Sequence, residues 1–366
     1  MSTTIENDVS EGLEGVIAFA TEIAEPDRAG GALRYRGIDV EELAGRVPFE
    51  RVWGLLVDGA LLPGLVSGGD GGARGATDGR SRVDLRADLQ AGLARLAPAL
   101  GLRQLIDIDA AQARDDLART SVAALDLVAR LARGRAASAV PRSEIDAAGS
   151  LAARFLATWR GEADPAHVKA IDAYWSTAAE HGMNASTFTA RVVASTGADV
   201  AAALSAAVGA LSGPLHGGAP ARVLQMLDEV EREGDAERYV ARVLDRGERL
   251  MGFGHRVYRA EDPRARVLRR TAEELDSPRA QTAAALERAA LHELAARKPD
   301  RVLATNVEFW SAVVLDHARI PPQLFVPLFA CARTAGWSAH ILEQTRSGRL
   351  VRPSALYVGE PPRPLP

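Results

Sequence analysis

Ser186-Thr187-Phe188-Thr189-Ala190-Arg191-Val192-Val193-Ala194-Ser195-Thr196, then Gly197-Ala198, then Asp199-Val200-Ala201-Ala202-Ala203-Leu204-Ser205-Ala206-Ala207-Val208-Gly209-Ala210-Leu211, is the stretch that decides the fold. It reads as two helices joined at Gly197. Nearly every side chain is small, which lets helices approach closely, so the pair reads as the buried centre of a bundle or a subunit interface. Outward from it, apolar residues at three- and four-residue spacing predict helices over Val83 to Leu100, Ala113 to Leu131, Ile145 to Trp159 and Val168 to Ala179. From Pro220 to Pro299 the helical segments turn more charged, as in Asp228-Glu229-Val230-Glu231-Arg232-Glu233, and suggest a smaller, more exposed domain. Apolar helix returns from Asn306 to Arg346 and ends at Gly348. Only residues 12 to 36 suggest β structure, with Gly15 to Ile23 and Ala32 to Tyr35 as short strands around a turn-rich Glu25 to Gly31. The expectation is an all-α chain with a small N-terminal β element. Its large domain takes residues 1–216 and 316–366, around a small domain at 217–315.

Composition narrows the function classes. At 366 residues the chain has ample length for a buried core. A net charge of −4 offers no basic field to nucleic acid or an anionic membrane. Lysine occurs only at Lys169 and Lys298, so any anion site must be built from arginine. The single Cys331 sits among apolar residues, reads as a packing residue and fits a reducing cytoplasm. The stretch from Gly64 to Arg82 has no lysine and no strand before it, and reads as a solvated loop rather than a phosphate cradle. The histidines lack metal-binding spacing, so no metal is expected.

The chemistry-bearing residues fall in short motifs of the C-terminal half. Asp262-Pro263-Arg264 reads as an N-cap, a proline at the first helical position and an arginine in the first turn, where free N–H groups already attract anions. Arg264 is there either to grip a carboxylate or to pair with Glu261 at the surface. His216, in Leu215-His216-Gly217-Gly218, precedes another helix start, which disfavours imidazolium and suits a neutral donor; capping that helix is the plainer alternative. Gly252-Phe253-Gly254-His255 is flanked by Arg256 and Arg259, which suits a phosphate-bearing ligand, although His255 is equally readable as a core histidine. In Asn306-Val307-Glu308 the helix dipole favours an ionised Glu308, as a base requires; capping is the alternative. Arg333 is an arginine among apolar neighbours, where a charge is costly unless paired. His181 lies in Glu180-His181-Gly182-Met183-Asn184, and Arg352 is a further anion candidate. His340 reads as a core or interface histidine. Imidazoles, one acid and arginines together suit carbon acid chemistry on a small dianion.

Taken in order, these segments resemble citrate synthase in its shorter bacterial and archaeal form. The resemblance starts at Gly12-Leu13-Glu14-Gly15-Val16 and Tyr35-Arg36-Gly37. It continues through Asn184-Ala185-Ser186-Thr187-Phe188, Gly213 to Ala219, Met251 to Tyr258 and Asp262-Pro263-Arg264-Ala265. It ends at Arg333-Thr334-Ala335-Gly336-Trp337, Ala339 to Gln344 and Arg352-Pro353. The resemblance implies a homodimer of closing domains that condenses acetyl-CoA with oxaloacetate and hydrolyses the citryl thioester. His216 would polarise the acetyl carbonyl, His255 the ketone, and His181 would bind oxaloacetate. Arg264, Arg333 and Arg352 would clamp its carboxylates, Arg352 from the other subunit. Arg259 and the backbone of Gly252, Phe253 and Gly254 would meet CoA. The family's base is usually aspartate, and Glu308 here places the carboxyl one methylene farther out. Two alternatives share these motifs: 2-methylcitrate synthase using propionyl-CoA, and a CoA- or dicarboxylate-binding protein with reduced turnover.

Overall fold

The computed structural model describes residues 9–27, 31–62, 64–65, 84–134, 137–214, 216, 220–254, 258 and 261–364. Within them the chain is helical, apart from a three-stranded antiparallel sheet of β1 (Ala24–Asp27), β2 (Ala32–Tyr35) and β3 (Ile38–Asp39) in that order. The helices of the first half are α1 (Val40–Leu43), α2 (Phe49–Asp58), α3 (Leu85–Ala94), α4 (Leu96–Leu100), α5 (Ala110–Arg133), α6 (Arg142–Asp146), α7 (Leu151–Arg160) and α8 (Pro165–Ala178). Those of the second half are α9 (Ala185–Ser195), α10 (Val200–Leu211), α11 (Pro220–Glu233), α12 (Ala236–Asp245), α13 (Pro263–Glu274), α14 (Ala280–Arg297), α15 (Val307–His317) and α16 (Phe325–Ser347).

Helix starts follow local chemistry. Asp164, Asn184, Asp199, Asp262 and Asn306 each accept a hydrogen bond from a main-chain N–H of the first turn, as an N-cap does. Proline holds the first position of α8 and α13, where its missing N–H costs nothing. Gly348 ends α16 in the left-handed conformation.

α16 is the axis of the molecule. It packs on α2, α5, α8, α9 and α10, and every residue from Ala330 to Leu342 is buried, whichever face it occupies. The small-residue pair α9–α10 lies against α16, with α10 also on α3, so the central-bundle reading of that stretch holds. α11, α12 and α14 pack on one another, while α13 and α15 also touch α8. The site elements therefore meet where the charged segment joins the apolar bundle.

Several boundaries differ from the sequence expectation. The first strand is Ala24–Asp27, whose last three residues fall in the Glu25–Gly31 segment read as a turn, whereas residues 16–20 are irregular and largely exposed. Pro26 is tolerated because β1 is an edge strand. The helix expected from Ile145 to Trp159 is two helices, because Ser150 leaves the helical conformation to cap α7. Arg95 similarly separates α3 from α4. The stretch from Asn306 to Arg346 breaks between α15 and α16, where Arg319 takes a positive φ of 54° before Pro321 and Pro322. Most of the segment read as a solvated loop, residues 66–82, lies outside the described residues.

Candidate active site

Two helix starts face each other through one carboxylate. Asp262 caps α13, its Oδ1 accepting from the Arg264 N–H at 3.0 Å and from Arg264 Nε at 3.0 Å. Its Oδ2 accepts from Arg264 Nη2 at 2.8 Å and from the Val307 N–H at 3.1 Å, in the first turn of α15. Arg264 is thus buried and forked onto Asp262, whereas Glu261 pairs with Arg269 and Arg266 instead. The surface pairing with Glu261 is excluded because the guanidinium turns inward. Bidentate, charge-assisted bonds of this kind fix the fork in place.

The start of α15 is tied to the glycine loop before it. Asn306 caps the helix through Glu308 N–H at 3.0 Å and donates from Nδ2 to Gly254 O at 3.0 Å. Asn306 N–H donates to Gly252 O at 2.9 Å, and Gly254 N–H to Ala304 O at 2.7 Å. Gly252 has a φ of +88°, and a Cβ there would stand 2.8 Å from Phe309 Cβ, so only glycine fits without strain. Phe253 packs on Phe309 with centroids 5.3 Å apart.

Glu308, in the first turn of α15, is largely withdrawn from water. Burial raises its carboxyl to about 7, Arg264 opposes that rise and Asp262 adds to it. The dipole expectation of a readily ionised acid is therefore corrected: desolvation outweighs the helix start, and the acid titrates near neutrality.

His216 sits beside α9. Its Nε2 lies 2.9 Å from Ser186 Oγ and 3.4 Å from the Ser186 N–H, which can only donate. The Ser186 main-chain N–H favours an unprotonated Nε2 with the proton on Nδ1. Ser186 Oγ accepts from Trp337 Nε1 at 3.2 Å and donates to Asn184 Oδ1 at 2.8 Å. Burial, and then the Arg333 charge, lower the His216 pKa to about 4, so the imidazole is neutral as expected.

Arg333 is buried in the middle of α16. Its Nε donates to Ala178 O at 3.0 Å, and its guanidinium lies 4.7 Å from the Phe329 centroid. No carboxylate among the described residues lies within ion-pair distance of it, and burial lowers its pKa, with Glu180 opposing and Arg264 adding to the fall. His181 Nε2 is 3.0 Å from Tyr258 Oη, with the rings edge to face. Burial raises the Tyr174 hydroxyl pKa, and the charges of Arg333, Glu308 and Arg264 act on it as well, so the three groups lie in its neighbourhood.

Not every expected residue joins them. Arg352 is exposed on the irregular segment after α16. His255, Arg256, Arg259, Gly217 and Gly218 lie outside the described residues. Ser186, Trp337, Tyr174 and Tyr258 were not singled out for a role by sequence; all but Tyr174 stood inside quoted motifs, but nothing local marks them as partners of histidines or arginines. Among the described residues no group of His, Cys, Asp or Glu could hold a metal. Nor is any helix among them long and apolar enough to cross a membrane.

A helical fold with buried arginines around one neutral imidazole and one near-neutral carboxyl is the frame into which the comparisons fall. The sequence pattern described as "Citrate synthase, C-terminal domain" matches residues 12–354. The chain belongs to the citrate synthase family. A Mycobacterium tuberculosis protein placed in that family by name is 62% identical over 99% of this chain and 96% of its own. The citrate synthase of a Synechocystis strain is 36% identical, covering 97% of this chain and 92% of its own. A 2-methylcitrate synthase from Shewanella oneidensis is 33% identical over 96% of this chain and 95% of its own. Among solved structures, the citrate synthase of Thermoplasma acidophilum, in a ternary complex with carboxymethyl coenzyme A and oxaloacetate, superposes with a TM-score of 0.83 at 27% identity, over 98% of both chains.

Proposed function

We propose that this chain condenses acetyl-CoA with oxaloacetate and hydrolyses the citryl thioester, giving citrate and CoA. The observations that carry the reading are a Glu308 carboxyl raised to about 7 by burial near Arg264 and a His216 imidazole lowered to about 4 by burial near Arg333, both arginines being buried. A base working near neutral pH is best placed to take a proton from a weak carbon acid. Glu308 takes that proton from the acetyl methyl, while the His216 Nδ1–H holds the thioester oxygen as it becomes an enolate. The enolate carbon then bonds to the ketone carbon of oxaloacetate, whose oxygen gains a proton, and water cleaves the thioester. Arg264, Arg333 and His181 receive the oxaloacetate, with His255 on its ketone. Arg352 joins them from a second copy of the chain in a homodimer, which its exposure on the segment after α16 supports. Arg259 and the Gly252–Gly254 backbone take CoA. Glu308 serves in place of an aspartate because the Gly252 and Asn306 bonds fix the start of α15.

The likeness to a 2-methylcitrate synthase favours one rival, propionyl-CoA as the acyl donor. Thiol release measured with oxaloacetate and either acyl-CoA tests both. Release with acetyl-CoA at the higher kcat/KM supports the proposal, preference for propionyl-CoA transfers it to the rival, and release with neither removes it.

A further inference from the structure

Glu180 stands where α8 gives way to His181, and it is 0% exposed. Among the described residues neither of its carboxyl oxygens has a hydrogen-bond partner. A carboxylate removed from water without compensation costs several kcal/mol, so its surroundings must supply a reason for it.

Three features do. Oε2 lies against α16 at Gly336, where a Cβ would come within 1.9 Å of it, and Gly336 N–H donates to Ala179 O at 3.1 Å. This close crossing clamps the acid onto the helix that carries Arg333. Arg333 is itself fixed by Ala178 O, two residues before Glu180. His340, one turn on from Gly336, brings its Nε2 within 3.4 Å of Glu180 Oε1, although its alignment falls short of a hydrogen bond.

The His340 proton can be placed by elimination. Arg191 Nη1 lies 2.9 Å from His340 Nδ1, and a guanidinium only donates, so Nδ1 is the acceptor and the proton sits on Nε2, facing Glu180. Arg191 is held in turn by Glu343 at 2.6 Å and Gln344 at 3.1 Å. The imidazole therefore turns its Nε2–H toward Glu180 without completing a hydrogen bond to it. The fully charged group left to answer Glu180 is Arg333, whose charge Glu180 supports more than any other group does.

We infer that Glu180, steadied by His340, is a positioning residue for Arg333: a buried counter-charge that aims the guanidinium and tempers its grip on a dianionic substrate. This rests on the reading above, in which Arg333 receives a carboxylate of oxaloacetate. An incoming carboxylate must share Arg333 with Glu180, so neutralising Glu180 strengthens the grip. A merely structural acid would, when lost, weaken binding of both substrates.

The test is calorimetric binding of oxaloacetate to the full-length enzyme, alongside KM for acetyl-CoA. Glu180→Gln is expected to lower Kd for oxaloacetate about five- to tenfold, the size of a partly screened single-charge coupling, with KM for acetyl-CoA moving less than about twofold. Glu180→Asp keeps the charge but withdraws it by a methylene, and is expected to tighten binding by about twofold. Unchanged or weaker oxaloacetate binding in Glu180→Gln overturns the inference. If that variant does not fold, Glu180→Asp decides, and binding equal to or weaker than wild type overturns it. A wild-type enzyme that binds no oxaloacetate removes the reading of Arg333 as well, which separates the two failures.

Discussion

Replacing Glu308 by glutamine keeps the shape of the side chain and removes its proton exchange. The structure makes the consequence two-sided. The carboxyl is raised from 4.5 to about 7 by burial in the folded chain. The unfolded chain therefore gives up this proton first as pH rises, and folding loses free energy between about 4.5 and about 7, with the whole penalty in force above that window. A rise of about 2.5 pH units corresponds to roughly 3 to 4 kcal/mol at about 1.4 kcal/mol per unit, an upper bound because Glu308 is not wholly sealed from solvent. Glutamine carries no such penalty.

The assay is thermal unfolding of wild type and Glu308→Gln at pH 5 and pH 8.5, with turnover measured on the same samples. The variant is expected to gain stability over wild type at pH 8.5 and little at pH 5, while turnover falls by about a thousandfold, within the usual range for loss of a general base. The wild-type kcat/KM is expected to fall about tenfold per pH unit below about 7, as the base takes up its proton. A stability difference that does not change between the two pH values would refute the burial argument. Turnover near wild type would remove Glu308 from the chemistry.

Three further outcomes follow from named contacts. Ser186→Ala deletes the hydroxyl between His216 and Trp337; kcat is expected to fall about tenfold or more, with a stability loss of about 1–2 kcal/mol by urea unfolding, and an unchanged kcat would show that His216 needs no such support. Gly252→Ala forces a Cβ against Phe309 at a φ of +88°; a loss of about 2 kcal/mol and a disturbed Glu308 should appear together as a lower Tm and a lower kcat. Arg264→Lys leaves one charge but no fork on Asp262; KM for oxaloacetate is expected to rise about a hundredfold while KM for acetyl-CoA moves little, and equal shifts in both would argue for general misfolding.

What could be read from sequence was what local chemistry decides. Asp262, Asn306, Asp199 and Gly348 mark helix ends because capping involves only atoms within a turn. The burial of Arg333 was likewise legible, since every neighbour along its helix is apolar or small. The break at Gly149-Ser150 was missed although it too is local: a glycine followed by a capping serine marks it, but the apolar periodicity on both sides was read as one helix. The partner of Arg264 was hidden too: Glu261 and Asp262 are adjacent carboxylates, and only the inward turn of the guanidinium selects between them.

Glu308 and Glu180 carry that distinction into the site. A helix start lowers a carboxyl pKa by an amount readable from position alone, but desolvation depends on what α13 and α8 bring across the cleft, and for Glu308 desolvation wins. Glu180 has no local signal at all: its meaning comes from Gly336 and His340 on α16, more than 150 positions along the chain. The two acids flank the same pair of arginines, Glu308 coupled to Arg264 and Glu180 to Arg333. A charge change at either one must then alter the field at the other through those arginines. The double variant Glu180→Gln with Glu308→Gln should for that reason bind oxaloacetate with a free energy that departs from the sum of the single changes by about 0.5 kcal/mol or more, as coupled sites do. Strict additivity would mean that the arginines screen each acid from the other, and that two independent half-sites, rather than one shared cleft, hold the substrate.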